Sequence, residues 1–170
     1  MLLNEIANKL ADRSIFLHAV ERWIDGIDQA CTNNVNGRLE TADIIRKLTP
    51  PSLTPRSKFI YRSLSLPAEL IDQLRNNQPV QLRAQGASSY SATPQLANWF
   101  FNEVLNRNSI LIKKPVTANA ILDVNRLRKT LSVDEQQEFE LLAYSNDAEV
   151  IVLDTTEYLT IHPSEVVKYK

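Results

Sequence analysis

Apolar residues in the first part of the chain recur at intervals of three and four positions. Between Leu2 and about Asn33 they include Leu3, Ile6, Leu10, Phe16, Val20, Trp23, Ile24 and Ile27. This spacing places them along one stripe of a helix. The pattern predicts two helices with a break near residues 12–14, followed by a short third helix that Thr41 caps.

Prolines end this helical part, and the pattern then changes to short runs rich in β-branched and aromatic residues. Pro50, Pro51 and Pro55 exclude helix and leave an extended connector. Further helices are expected at 68–76, from the Thr93-Pro94 pair onwards and at 125–131. Strands are expected at 58–64, 80–84, 109–113, 120–124, 139–144, 149–153 and 158–161. Because helices cluster early and strands late, we expect an α+β fold with a mixed or antiparallel sheet.

Length and charge set the broad class. A chain of 170 residues corresponds to about one domain, so a single domain is expected over 1–170, with a helical layer at 1–50 and a core at 58–161. The net charge of −1 lacks the electrostatic footprint of a general nucleic-acid binder. Neither a basic, apolar leader nor a membrane-length apolar run is present, which favours a cytoplasmic location and no membrane partner.

Several common chemistries find no support in the composition. The chain has neither a Gly-x-Gly-x-x-Gly loop nor a Gly-Lys-Ser/Thr loop, so the familiar cradles for nucleotide phosphates are missing. The lone Cys31 has no second thiol for a disulfide or a zinc site. His18 and His162 stand far apart in sequence, without an obvious nucleophile beside them. No metal cofactor is expected.

Two features near the middle of the chain are candidates for ligand binding. Arg62 interrupts an apolar strand pattern, with Ile60 and Leu64 on the same face. A guanidinium there needs a partner, either a carboxylate or the phosphate of a ligand, to which its planar fork is suited. The hydroxyl groups of residues 88–91 end a strand just before a helix, where they either cap the helix or orient a ligand.

A third feature is an acidic stretch that runs into apolar residues. Glu138 and Glu140 precede Leu141 and Leu142. In an extended chain the two carboxylates would share one face, about 7 Å apart, and would address one ligand region. The plainer interpretation is a solvated polar loop.

Taken in this order, the three features resemble motifs of the mono-ADP-ribosyltransferases of the arginine–serine–glutamate class, the cholera-toxin-like enzymes. That family has an aromatic-Arg pair on its first core strand, a Ser-x-Ser/Thr motif before a helix with Ala-x-x-Phe, and a Glu-x-Glu or Gln-x-Glu before a later strand. The corresponding segments are Tyr61-Arg62, Ser89-Tyr90-Ser91, Ala97-Asn98-Trp99-Phe100 and Glu138-Phe139-Glu140. The resemblance spans 58–161. Ser63 departs from the Gly of many members, and Tyr90 from the commoner Thr or Trp.

The resemblance implies the ADP-ribosyltransferase fold, with a β-sandwich core, and NAD⁺ as the substrate. Arg62 would bind the pyrophosphate, and Ser89 would position Glu140, which would stabilise the ribose cation left by nicotinamide. Glu138 would face the acceptor, and glutamate at that place goes with arginine acceptors in the family. Further contacts with NAD⁺ are expected from Tyr61, Arg62, Ser63, Ser89, Ser91 and Phe100.

The resemblance also implies a partner and leaves alternatives open. A monomeric phage or bacterial effector that modifies a protein of a bacterial host is expected, with delivery into a host cell as one route. A nucleic-acid acceptor is less favoured. The alternatives are an NAD⁺ glycohydrolase on the same fold, with water as the acceptor, and an inactive module that only binds a partner.

Overall fold

The structure contains both helices and antiparallel strands, in agreement with the predicted α+β class. The expectation that helices cluster early and strands late is only partly met, because helices also stand between the strands after residue 58. The computed structural model describes residues 2–25, 35–84, 87–105, 107–144, 149–153 and 158–170. The predictions made for Cys31 and for the stretch up to Asn33 lie outside these residues.

Within the described part of the N-terminal layer there are two long helices, α1 (Leu2–Asp25) and α2 (Val35–Leu48). The predicted break near residues 12–14 is wrong, because α1 runs through it. Polar residues there interrupt the apolar stripe, but none is a glycine or a proline that would break the backbone. The buried residues of α1 all lie beyond this point, from Phe16 to Trp23, and the preceding turns are exposed.

The described residues form eight strands in two sheets. They are β1 (Phe59–Ser65), β2 (Val80–Arg83), β3 (Ala87–Ser91), β4 (Ser109–Pro115), β5 (Ala120–Asp123), β6 (Glu149–Leu153), β7 (Tyr158–Ile161) and β8 (Val166–Tyr169). Six of them form one sheet in the order β5-β6-β3-β1-β4-β8, and β2 pairs with β7. All pairings among the described residues are antiparallel. Strand β8 was not expected from the sequence.

Beyond the N-terminal layer, the described residues form five shorter α-helices. They are α3 (Ala68–Arg75), α4 (Pro94–Glu103), α5 (Val124–Arg128), α6 (Val133–Glu138) and α7 (Glu140–Tyr144). The predicted start of α4 is correct, because Pro94 occupies its first turn, where a missing N–H costs nothing. Thr93 takes the extended backbone of an N-cap but makes no capping bond with its side chain. Helix α4 packs against β1 and β4.

The predicted strand at 139–144 is wrong, because this segment is helical. Ser132 and Glu135 form a reciprocal capping box that starts α6. The chain bends at Phe139, where φ is −115° and ψ is 59°, and α7 follows at once. Phe139 and Leu142 are both buried, and their spacing of three is helical, whereas a strand would bury alternate residues.

Apolar clusters cover both faces of the six-stranded sheet. On one face, α1 and α2 pack with α5, α7 and the buried Phe139 over Ala87, Leu122 and Ile151. On the other face, the two-stranded sheet and α3 pack over Ile60 and its neighbours in β4. None of the helices built from the described residues has the length and apolarity that a membrane crossing requires. Nor do these residues gather three His, Cys, Asp or Glu side chains that could hold a metal ion.

A bidentate ion pair joins α1 to α6. Arg13 Nε lies 2.6 Å from Glu135 Oε2, and Arg13 Nη2 lies 3.0 Å from Oε1. The hydrogen bonds from Arg13 lower the pKa of Glu135 from 4.5 to about 2. Because the folded pKa is depressed, the pair stabilises the fold above the unfolded pKa, and this contribution is lost as the pH falls through the folded pKa.

We expect Glu135→Gln to lower the free energy of unfolding at pH 7 by about 1 kcal/mol, since solvent partly screens the pair. Glutamine keeps the length of the side chain and an oxygen that can accept from the Ser132 N–H, but it removes the charge and one of the two oxygens that accept from Arg13. Urea unfolding at several pH values measures the effect. The difference from wild type should shrink as the pH falls from 4.5 towards about 2.

Glu138→Gln is the matched control, because it removes an exposed carboxylate from the other end of α6. It should change stability by less than about 0.5 kcal/mol. A loss in Glu135→Gln that is equally large at every pH would show that the ion pair is not its cause.

Candidate functional site

An open cavity of about 420 Å³ lies where the N-terminal helix and α4 meet the central strands of the large sheet. This size is within the usual range of ligand pockets, roughly 300–1,000 Å³. Five elements line the cavity: α1 with Trp23 and Ile24, β1 with Tyr61, Arg62 and Ser63, β3 with Ser89, Tyr90 and Ser91, α4 with Leu96, Ala97, Trp99 and Phe100, and β6 with Glu149. All six residues predicted to contact NAD⁺ are among them.

The sheet order brings the polar residues of the cavity together. Strand β3 lies between β6 and β1. Ser91 pairs with Glu149 on one side and with Tyr61 on the other, so these three residues cross the sheet in a row. Ser89 precedes Ser91 by two positions and therefore lies on the same face. Three strands distant in sequence thus contribute to one floor.

A hydrogen-bonded cluster of three side chains occupies this floor. Ser89 Oγ donates to Glu149 Oε1. The indole Nε1 of Trp23 lies 2.8 Å from the same carboxylate oxygen and 3.0 Å from Ser89 Oγ, and it donates to both. Glu149 is half-buried and Trp23 is only 2% exposed. Hydrogen bonds that end on a charged group are the stronger ones, so this cluster fixes the direction of the carboxylate.

Arg62 supplies the positive charge of the cavity. Strand alternation places it on the face of Ile60 and Leu64, as the sequence predicts, which is opposite to the face of Tyr61 and Ser91. It is nevertheless among the residues that line the cavity. Its guanidinium carbon lies 5.6 Å from the centroid of the Tyr90 ring, within cation–π range. Among the described residues no carboxylate is paired with this guanidinium. Its N–H groups can therefore donate hydrogen bonds to the oxygens of an anionic ligand.

Two serines of the predicted contact set form hydrogen bonds with backbone atoms of the protein. Ser63 Oγ donates to the backbone oxygen of Ala97 at 2.7 Å, which ties β1 to α4. Ser91 Oγ donates to the backbone oxygen of Thr93 at 2.9 Å and accepts from its N–H at 3.2 Å. A serine at position 63 therefore has a structural role that glycine could not take, because its hydroxyl holds the helix that forms one wall of the cavity.

Aromatic side chains form the rim of the cavity. Trp99 is 56% exposed and Phe100 40% exposed, although both are large and apolar. Tyr61 is half-buried beside the same helix. Exposed aromatic faces at the mouth of a cavity offer stacking surfaces for planar rings.

The structure does not bring the two predicted glutamates to this cavity. Glu138 ends α6 and Glu140 begins α7, and both are exposed. Glu138 Oε1 lies 3.9 Å from His18 Nε2, and neither carboxylate is among the residues that line the cavity. The expectation that they share one face of a strand is wrong, because the capping box makes the segment helical.

Glu149 is the carboxylate that the sequence analysis passed over as a site residue. It opens the run Glu149-Val-Ile-Val-Leu153, whose β-branched residues favour a strand. The run Phe139-Glu-Leu-Leu-Ala-Tyr144 contains strong helix formers instead. The residues that follow each carboxylate therefore distinguish the two segments. Only the run after Glu149 has the β-branched residues that favour a strand.

No protein-family model, curated protein or solved structure matches this chain. The functional interpretation therefore depends on the arrangement of the cavity residues.

Proposed function

We propose that this protein cleaves the bond between nicotinamide and ribose in NAD⁺ and transfers the ADP-ribosyl group to a target protein. The observation that carries the proposal is the convergence of Arg62, Ser89 and Glu149 on one cavity of about 420 Å³. The order arginine, serine, glutamate is the one that the motif resemblance implies, with Glu149 taking the role first expected of Glu140.

Arg62 is suited to the pyrophosphate of NAD⁺. A guanidinium binds two phosphate oxygens through parallel N–H groups, which a single ammonium group does not match. The contact with the Tyr90 ring restrains the side chain without using its hydrogen-bond donors. In this proposal Arg62 anchors the ligand, and the rim aromatics Trp99 and Phe100 stack on its planar rings.

Glu149 is suited to the step in which nicotinamide departs. The glycosidic C–N bond breaks, and nicotinamide leaves with the electron pair, so that positive charge develops on the ribose. A carboxylate held in place stabilises such a cation, as in glycoside hydrolysis. Ser89 Oγ orients Glu149 through its hydrogen bond. The nucleophile of the acceptor then bonds to the ribose carbon and releases a proton.

The structure gives no support for arginine as the acceptor of the ADP-ribosyl group. Arginine was favoured because Glu138 was expected beside the catalytic carboxylate, and the structure places Glu138 outside the cavity lining. In the sequence, Asp147 stands two positions before Glu149, outside the described residues. The proposal is therefore limited to transfer from NAD⁺, with the acceptor to be identified by labelling.

We expect Glu149→Gln to lower nicotinamide release and labelling of target proteins by about 100-fold or more, since one preorganised electrostatic group is removed. Glutamine preserves the size of the side chain but not its charge. Release of nicotinamide from NAD⁺ and incorporation of labelled ADP-ribose from NAD⁺ into lysate proteins measure the two activities.

Glu140→Gln is the matched control, since it removes an equal charge from an exposed site outside the cavity lining. Both activities should stay within about twofold of wild type. If instead Glu140→Gln abolishes turnover and Glu149→Gln does not, the assignment of the carboxylate is wrong. Nicotinamide release without labelling of any macromolecule would identify a glycohydrolase. Absence of release in the wild type would overturn the proposal.

Arg62 is the proposed anchor of the NAD⁺ pyrophosphate. Arg62→Lys keeps the positive charge but removes the planar fork, so the affinity for NAD⁺ should fall by about tenfold or more. Isothermal titration with NAD⁺ measures this.

Arg75→Lys is the matched control, because Arg75 also lies over a tyrosine ring, with its guanidinium carbon 4.3 Å from the centroid of Tyr169. It is not among the residues that line the cavity. Its affinity for NAD⁺ should stay unchanged. Equal affinities of wild type and Arg62→Lys would show that the guanidinium does not hold the phosphates.

A further inference from the structure

Helix α1 contributes a hydrogen-bond donor to the cavity, the indole N–H of Trp23. Trp23 lies in the last turn of α1, and its ring is buried in the apolar cluster that joins this helix to the sheet. At 2% exposure the indole N–H has little access to water. It lies 2.8 Å from Glu149 Oε1 and 3.0 Å from Ser89 Oγ. A residue from outside the motif-bearing part of the chain therefore contacts both of these side chains.

We infer that Trp23 is a positioning residue, which holds the Glu149 carboxylate in the direction that the reaction needs. This inference rests on the proposed function, because it assigns Trp23 a role in the same step. The indole acts through Glu149 and not on the substrate.

The geometry favours positioning over proton transfer. An indole N–H is a donor only and does not exchange its proton with a reacting group at neutral pH. Ser89 and Trp23 both donate to the same oxygen of Glu149, and they approach from different elements, β3 and α1. Two donors from independent directions restrict the rotation of a carboxylate more than one donor does. A reacting group held in this way is already oriented when the ribose cation forms.

Burial makes the indole contact stronger and its loss more costly. In surroundings of low dielectric constant, a hydrogen bond to a charged group is worth more than the same bond in water. The ring is also held by its neighbours, since Val20, one turn earlier on α1, is fully buried in the same cluster. Packing therefore fixes the ring, and the ring fixes the carboxylate.

The test is Trp23→Phe, which keeps an aromatic ring in the cluster and removes the N–H donor. We expect kcat for nicotinamide release to fall by about tenfold, the effect of one hydrogen bond to a charged group. KM for NAD⁺ should stay within about twofold, because Arg62 still anchors the ligand. A purely structural role would not produce this split.

Val20→Ala is the matched control on the same helix. It removes buried apolar volume without touching a hydrogen bond of the cavity, so it should lower the melting temperature and leave kcat within about twofold. A fall of kcat in Val20→Ala as large as that in Trp23→Phe would overturn the inference, since loosening of α1 would then explain both.

A second variant covers the case in which Trp23→Phe does not fold. Incorporation of 3-benzothienylalanine at position 23 replaces the indole N–H by sulfur in a ring of nearly the same size. It should reproduce the lower kcat at an unchanged KM. Wild-type kcat in this variant overturns the inference, and so does a raised KM with an unchanged kcat, which would make Trp23 a ligand contact.

The inference and the proposed function fail in different ways. A wild-type chain that releases no nicotinamide overturns the proposed function, and the positioning role falls with it. A wild-type chain that turns over NAD⁺ while both position-23 variants do so at full rate overturns the positioning role alone. The indole N–H signal of Trp23 in NMR spectra should also move in Glu149→Gln, and an unmoved signal would contradict the contact itself.

Discussion

A carboxylate placed between a sheet and a packed helix has to find hydrogen-bond donors, because an ionised group removed from water without them is costly. Glu149 meets this constraint with Ser89 from β3 and Trp23 from α1. The three side chains thereby join the helical layer to the centre of the large sheet. Their positions require that β6 lies beside β3 and that the last turn of α1 lies over both. The cavity follows from this arrangement.

The opposite wall depends on a different contact. Helix α4 packs across β1 and β4, and Ser63 on β1 donates a hydrogen bond to the backbone of this helix at Ala97. Ser91 holds the turn that leads into α4 through its contacts with Thr93. The three serines thus have different contacts. Ser89 donates to the Glu149 carboxylate, whereas Ser63 and Ser91 bind backbone atoms of α4 and of the turn before it. Among the described residues no carboxylate pairs with Arg62, so its guanidinium can bind an anionic ligand.

The parts of the site that could be predicted are those set by local sequence. Arg62 lies in β1, whose alternating apolar residues indicate a strand, and Ser89 lies in a run of hydroxyl residues that was expected to end a strand just before a helix. The acidic partner was misplaced because two segments have a carboxylate before apolar residues, and only their secondary structure separates them. The capping box of Ser132 and Glu135 decides against the first. The contact of Trp23 with Glu149 spans 126 positions in sequence, and no local pattern encodes a contact of that range.

The same reasoning changes how the N-terminal helices are understood. From sequence they are a layer in front of a catalytic core, and their apolar stripe explains only that they pack. The structure shows that the stripe includes Trp23, whose side chain has one polar atom, and that this atom donates a hydrogen bond to the carboxylate on β6. An apolar residue there would bury the same area but leave Glu149 with one donor fewer. An apolar ring would satisfy the packing at that position, whereas a hydrogen bond to the charged group needs a donor such as the indole N–H.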